Sequence, residues 1–84
     1  MRALILESKP LLAWVLEDNL ASIGFEHIEV APTESVAIKA AAANCPDLIV
    51  ANSHLRNGSG VAAVRAVCAD REIATIFITT DRRG

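Results

Sequence analysis

Residues Asp47 to Gly60 read D-L-I-V-A-N-S-H-L-R-N-G-S-G. A polar lead-in is followed by four apolar residues, then by an Asn where the chain enters a Gly-rich loop. An apolar run without alternation fits a strand covered on both faces, and such strands belong to parallel sheets. Asn52 therefore stands at the carboxyl end of a buried strand, where open α/β sheets carry their sites. The question it raises is why an amide occupies that place.

Working outward, the same pattern recurs. Ala3-Leu-Ile-Leu6 is a second continuous apolar run, ended by Glu7-Ser-Lys-Pro10, with Pro placed for the first helical position. From Pro10 the spacing becomes helical. Leu12, Leu16, Leu20 and Ile23 share one stripe, and Gly24 follows where a helix ends. His27 to Val30 alternates polar and apolar, which predicts a strand at a sheet edge. Thr33 is the expected N-cap of an Ala-rich helix reaching Ala43, with Glu34 in its first turn and Ala37, Ile38 and Ala41 on its core face. Asn44-Cys-Pro46 breaks that helix. Beyond the loop, Val61, Val64 and Cys68 predict a third helix ending near Asp70, with Ser59 as its cap. Ala74 to Ile78, β-branched and aromatic, is a fourth strand running into Thr79-Thr80.

Strands alternating with helices predict an α/β fold, a parallel sheet with helices packed on it. Right-handed crossovers put helices on both faces only if strand order reverses, and the reversal opens a crevice at the strand ends. Glu7, Ser8, Asn52 and Thr79 all fall there.

Composition limits the partners. The chain has 84 residues, 52% hydrophobic and 4% aromatic, so one domain with a thin aliphatic core is expected. A chain this short buries roughly 60 to 65% of its unfolded surface, and self-association is a common remedy. Eight basic and ten acidic residues give a net charge of −2. No basic cluster exceeds Arg82-Arg83, so no nucleic-acid footprint is present. The apolar start is broken by Glu7 and Lys9, too early for a signal peptide or membrane span, and a cytoplasmic protein is expected. Cys45 and Cys68 lack partners at metal-ligand spacing and read as reduced structural thiols.

The segments A-L-I-L-E-S-K-P, P-D-L-I-V-A-N, L-R-N-G-S-G and I-F-I-T-T, in this order and spacing, resemble the receiver domains of two-component response regulators. The resemblance covers nearly the whole chain. It implies a flavodoxin-like receiver fold of about four strands and three helices over residues 1–84, lacking its last βα elements and so incomplete at the C-terminus. In that family two acids after the first strand and an Asp after the third hold Mg²⁺, and the Asp accepts a phosphoryl group from a histidine kinase. A hydroxyl after the fourth strand and a Lys after a fifth then contact the phosphate.

Carried over residue by residue, Glu7 matches the first acid, but Ser8 stands at the second. Asn52 holds the phosphoacceptor position and Thr79 that of the switch hydroxyl. The Lys has no counterpart before Gly84, and Arg56 replaces a Pro common in the loop. Mg²⁺ relies on carboxylate and phosphate oxygens, and the two substitutions remove two negative charges. Weak or absent Mg²⁺ binding and no other cofactor are expected. An acyl phosphate cannot form on an amide, so no phosphotransfer is expected at Asn52.

Each residue also has a plainer reading. Asn52 can cap loop N–H groups, and Ser53 and His54 lack an activating base and read as loop residues. Glu7 alone reads equally well as a solvated loop acid, Thr79 as a strand terminus and His27 as a surface residue. Asn57-Gly-Ser-Gly60 lacks the Lys of a phosphate loop and reads as a turn in which Gly supplies positive φ.

On the first helix Trp14 lies opposite the core stripe beside Glu17, Asp18 and Ala21, with Leu11 and Val15 at the flanks. An outward Trp is either part of a contact surface or a lone exposed aromatic without a role. A fourth strand with an open edge and a partly covered sheet face favours contact, and a homodimer is expected. The sequence thus predicts a non-enzymatic receiver-like module of phosphorelay signalling that acts through protein contacts. One alternative is a fragment of a longer response regulator whose effector part is missing. Another is a small nucleotide-binding or enzymatic α/β domain, against which the lack of an acid–base pair or phosphate loop counts.

Overall fold

The computed structural model describes residues 1–55 and 58–79. Arg56, Asn57 and residues 80 to 84 lie outside them, and with them the Arg56 substitution, part of the turn reading, Thr80 and the Arg82-Arg83 pair. The elements are β1 (Arg2–Leu6), α1 (Pro10–Ser22), β2 (His27–Ala31), α2 (Glu34–Ala43), β3 (Leu48–Asn52), α3 (Gly60–Val67) and β4 (Ala74–Ile78). All strand pairs are parallel, in the order β2-β1-β3-β4. This is the expected α/β architecture of four parallel strands and three helices, with β2 at one edge and the strand order reversing between β1 and β3.

Alternation along the strands sorts the core into two layers. Ala3, Ile5 and Val50 face α1 and meet Leu20, with Leu16 and Phe25 packed alongside. Leu4, Leu6, Ile49 and Ala51 face the other way and meet Ala37 and Ala41 of α2 and Ala63, Val64 and Val67 of α3. The register of the two central strands is clamped at their start. Arg2 N–H donates to Asp47 Oδ2 at 2.8 Å, and Asp47 N–H donates to the Arg2 carbonyl at 2.8 Å.

The helix starts follow the expected chemistry. Pro10 opens α1, Thr33 Oγ1 accepts from Val36 N–H at 3.2 Å, and Ser59 Oγ accepts from Val61 and Ala62 N–H. The helix faces differ in part from expectation. Ile23 is exposed and caps α1 instead of joining its stripe. Phe25 N–H donates to the Leu20 carbonyl and Gly24 N–H to that of Ala21, a Schellman ending that folds Phe25 back onto Leu20 in Ile23's place. Leu12 and Leu16 are half-buried, and the deepest contact in the first turns of α1 is made by Ala13.

In α2, Ala37 and Ala41 are buried but Ile38 is exposed. α3 ends at Val67, short of Asp70, and its buried stripe is Gly60, Ala63, Val64 and Val67; Val61 is exposed and Cys68 half-buried. In all three helices small residues carry the closest approach to the sheet, because a short side chain lets backbone meet backbone. Leu20, Val64 and Val67 are buried with them, while Ile23, Ile38 and Val61 are exposed.

Candidate functional site

Glu7 follows β1 directly, and Asn52 ends β3. The register that pairs Leu6 with Ala51 sets Glu7 level with Asn52 in the crevice where strand order reverses. Parity sends both side chains to the same side: Ala3, Ile5 and Glu7 alternate together, as do Leu48, Val50 and Asn52. Both residues are 1% exposed. The solvated-acid reading of Glu7 is therefore corrected, since the strand delivers this carboxylate into the crevice and not onto a loop surface.

The pair is hydrogen-bonded. Asn52 Nδ2 donates to Glu7 Oε1 at 2.8 Å, and Lys9 N–H donates to Glu7 Oε2 at 3.0 Å. Asn52 Oδ1 in turn accepts from His54 N–H at 3.0 Å, the loop-capping role expected of it. Among the described residues no buried side-chain polar atom lacks a partner. An amide N–H thus holds one oxygen of the buried carboxylate and the turn into α1 holds the other. Removing either donor would leave a costly unsatisfied charge.

This donor set does not fit Mg²⁺. The crevice offers one carboxylate, both of whose oxygens accept N–H bonds, and an amide that turns its nitrogen toward that carboxylate and its oxygen toward the loop. A hard dication prefers several anionic oxygens in octahedral array. No cluster of three or more His, Cys, Asp or Glu with metal-binding geometry occurs among the described residues.

The described ends of the loop after β3 are tied to each other and to β4. Ser53 N–H donates to the Ile78 carbonyl and Gly60 N–H to the Ser53 carbonyl, and His54 bridges to Ser59. Gly60 needs to be glycine for space and not for its φ, because a Cβ there would run into the Asn52 backbone. Gly58 has the positive φ, 98°. Beside it Glu34 Oε1 accepts from Ser59 N–H at 3.3 Å, which ties the start of α2 to the cap of α3. Glu34 and Gly60 were read from sequence only as a first-turn acid and a loop residue, since the Glu34 contact spans 25 residues and the Gly60 contact depends on how the chain turns back on Asn52.

The other expected positions lie around the pair. Ser8 is half-buried next to Glu7, and Thr79 is exposed just past β4, beyond the Asn52–Ile78 register pair; both have interaction partners. On α1, Trp14 is 62% exposed, and Leu11 and Val15 are exposed as well. Trp14 lines a shallow surface depression with Glu17, Asp18 and Ala21.

Sequence and structure comparisons lead to the same group of proteins. The chain is 40% identical over 78 residues to the phyllosphere-induced regulator PhyR of Methylorubrum extorquens, matching 90% of this chain and 29% of PhyR. The solution structure of the Erythrobacter litoralis PhyR response-regulator receiver domain superposes with a TM-score of 0.87 at 34% identity, over 93% of this chain and 61% of that one. This is a receiver-like domain. Bartonella quintana PhyR, described as an anti-anti-sigma factor and solved in complex with the anti-sigma factor NepR, matches with a TM-score of 0.85 at 31% identity, over 90% of this chain and 32% of that one. No protein-family model matches. The receiver-like chain thus spans under a third of the full-length PhyR proteins and most of an isolated PhyR receiver domain. Among its described residues no helix is long and apolar enough to cross a membrane.

Proposed function

We propose that this receiver-like chain serves two-component signalling as a contact module, without enzymatic activity and without phosphorylation at Asn52. The observation that carries the reading is the hydrogen bond from Asn52 Nδ2 to Glu7 Oε1 at 2.8 Å. At the place where the family keeps a phosphoacceptor Asp and a metal ion, this chain keeps an amide that satisfies the neighbouring carboxylate itself. An amide neither attacks a phosphoryl group as a carboxylate does nor adds charge for Mg²⁺. Asn52 Oδ1 then holds His54 N–H at the start of the β3–α3 loop whether or not a phosphodonor is present, and weak or absent Mg²⁺ binding belongs to the same reading.

With its chemistry set aside, the chain's surfaces become its means of action. Trp14, Leu11 and Val15 offer an exposed apolar strip on α1, bordered by Glu17 and Asp18, of the kind that anchors protein contacts. Self-association as a homodimer is part of the reading, as is a cytoplasmic location, where free thiols such as those of Cys45 and Cys68 stay reduced. By analogy with the PhyR–NepR complex, a longer regulator containing this chain would take an anti-sigma factor as partner. The match to 29% of PhyR favours that second reading, in which the chain is one part of a larger protein.

Incubation with a small phosphodonor and Mg²⁺, followed by intact-mass measurement, tests the leading reading. The mass is expected to stay unchanged, and a stable gain of one phosphoryl group would overturn it.

A further inference from the structure

We propose that the outer face of α1 is a docking site for a partner helix that presents an arginine or lysine side chain, which Trp14, Glu17 and Asp18 receive together. The inference rests on the contact reading above and names the chemistry of the partner.

The site starts from helical spacing. Trp14, Glu17, Asp18 and Ala21 stand at i, i+3, i+4 and i+7, so they form one contiguous patch. All four are exposed. Ala21 has no bulk to fill the space beyond the indole, and the four residues line a hollow of about 320 Å³. Leu11, one turn before Trp14, is exposed as well. The patch thus runs from an apolar end at Leu11 and Trp14 to an acidic end at Glu17 and Asp18. It belongs to a helix that packs on β1 and β2, in the half of the sheet away from β4.

Charge decides what fits. Glu17 and Asp18 are the only charged residues of α1, and its last turn has no basic residue. A helix is stabilised by cations toward its C-terminal end, so α1 leaves to a partner the positive charge that its own sequence omits. The indole favours the same group, because a cation within about 6 Å of an aromatic face is attracted by the ring. A guanidinium or ammonium group is therefore the chemistry that all three side chains share. The apolar stem of the incoming arginine or lysine lies along Trp14, and an apolar residue one turn away on the partner helix meets Leu11. A second copy does not satisfy the patch through the same face, since a symmetric α1–α1 contact leaves the carboxylates of both copies without a cation.

Trp14 is the single Trp of the chain, so its fluorescence reports on this site alone. The probes are three synthetic helical peptides that share an apolar face and differ at one position, which carries Arg, Gln or Glu. The Arg peptide is expected to shift Trp14 emission and to bind about tenfold more tightly than the Gln peptide. The Glu peptide is expected to bind most weakly, and the Arg preference to shrink as salt rises. Glu17→Gln with Asp18→Asn, both at exposed positions, is expected to keep the circular dichroism spectrum and the binding of the Gln peptide, and to lose most of the Arg preference. Equal binding of the Arg and Gln peptides overturns the cationic partner and leaves α1 a contact surface. An Arg preference that the double variant leaves intact does the same. Trp14 emission that shifts with the chain's own concentration, without peptide, assigns the face to a second copy and also overturns the inference. Emission that no peptide moves up to millimolar concentration overturns both the inference and the α1 strip of the contact reading.

Discussion

β3 and β4 are neighbours of the same length, both made almost wholly of apolar residues, and they pair residue for residue from Leu48–Ala74 to Asn52–Ile78. Their surroundings differ. In β3, Ile49 to Asn52 are buried and Leu48 half-buried, whereas β4 has no buried residue. The difference is one of place. Among the described residues, β3 lies between two strands with α3 across one face, while β4 has a strand on one side and neither face fully covered. Apolar composition states what a strand can bury, and its position in the sheet states what it does bury. β2, the opposite edge, shows the alternative design: His27 and Glu29 face solvent, and the polar alternation announces the edge in advance.

The largest test of this contrast is a pair of truncations. Ile49→Ala, in the fully packed layer, is expected to cost about 2–5 kcal/mol, while Ile76→Ala is expected to cost under about 1 kcal/mol at monomeric concentration, since half of that side chain is already in water. Urea unfolding compares them, and equal costs would break the contrast. The strand ends give the next test. Asn52→Ala leaves the buried Glu7 oxygen without its amide donor and is expected to cost about 1.5–3 kcal/mol. Thr79→Ala, at an exposed position, is expected to stay within about 0.5 kcal/mol.

A smaller effect is expected from rebuilding the charge at the end of β3. Asn52→Asp with Ser8→Asp puts carboxylates beside Glu7, and their mutual repulsion lowers stability at neutral pH. Added Mg²⁺ should then raise the melting temperature of this variant and leave the wild type unmoved. No response in the variant would mean that the crevice geometry, and not only its charge, departs from the family's. The smallest stability effect belongs to Trp14→Ala on the exposed face of α1, within about 0.5 kcal/mol. If Trp14 anchors a contact, this variant keeps its stability and loses partner binding, which a pull-down beside an unfolding curve separates.

The expectations that held depended on local signals. Continuous apolar runs gave β1 and β3, alternation gave the edge strand β2, and Thr33 and Ser59 were recognisable as caps because a cap is a bond between near neighbours. The helix faces were less legible. A wheel weighs large apolar residues, so it favoured Ile23, Ile38 and Val61, yet these are exposed while Ala13, Ala63 and Gly60 lie against the sheet. Gly60 shows why: its neighbour is the Asn52 backbone, brought there by the β3–α3 loop, and no helical period encodes that approach.

The strand-end site divides in the same way. The sequence by itself determined that an amide stands at the carboxyl end of a buried strand and that a Ser follows Glu7 after β1, so that both positions carry no charge. Those are properties of residue type, and residue type needs no folding to be read. Only the tertiary structure decided that Glu7 is buried, that the Asn52 amide donates to it, and that β4 pairs with β3 from Leu48–Ala74 to Asn52–Ile78. Each of these depends on which strand lies beside which, and strand order is set by long-range packing that no local pattern contains.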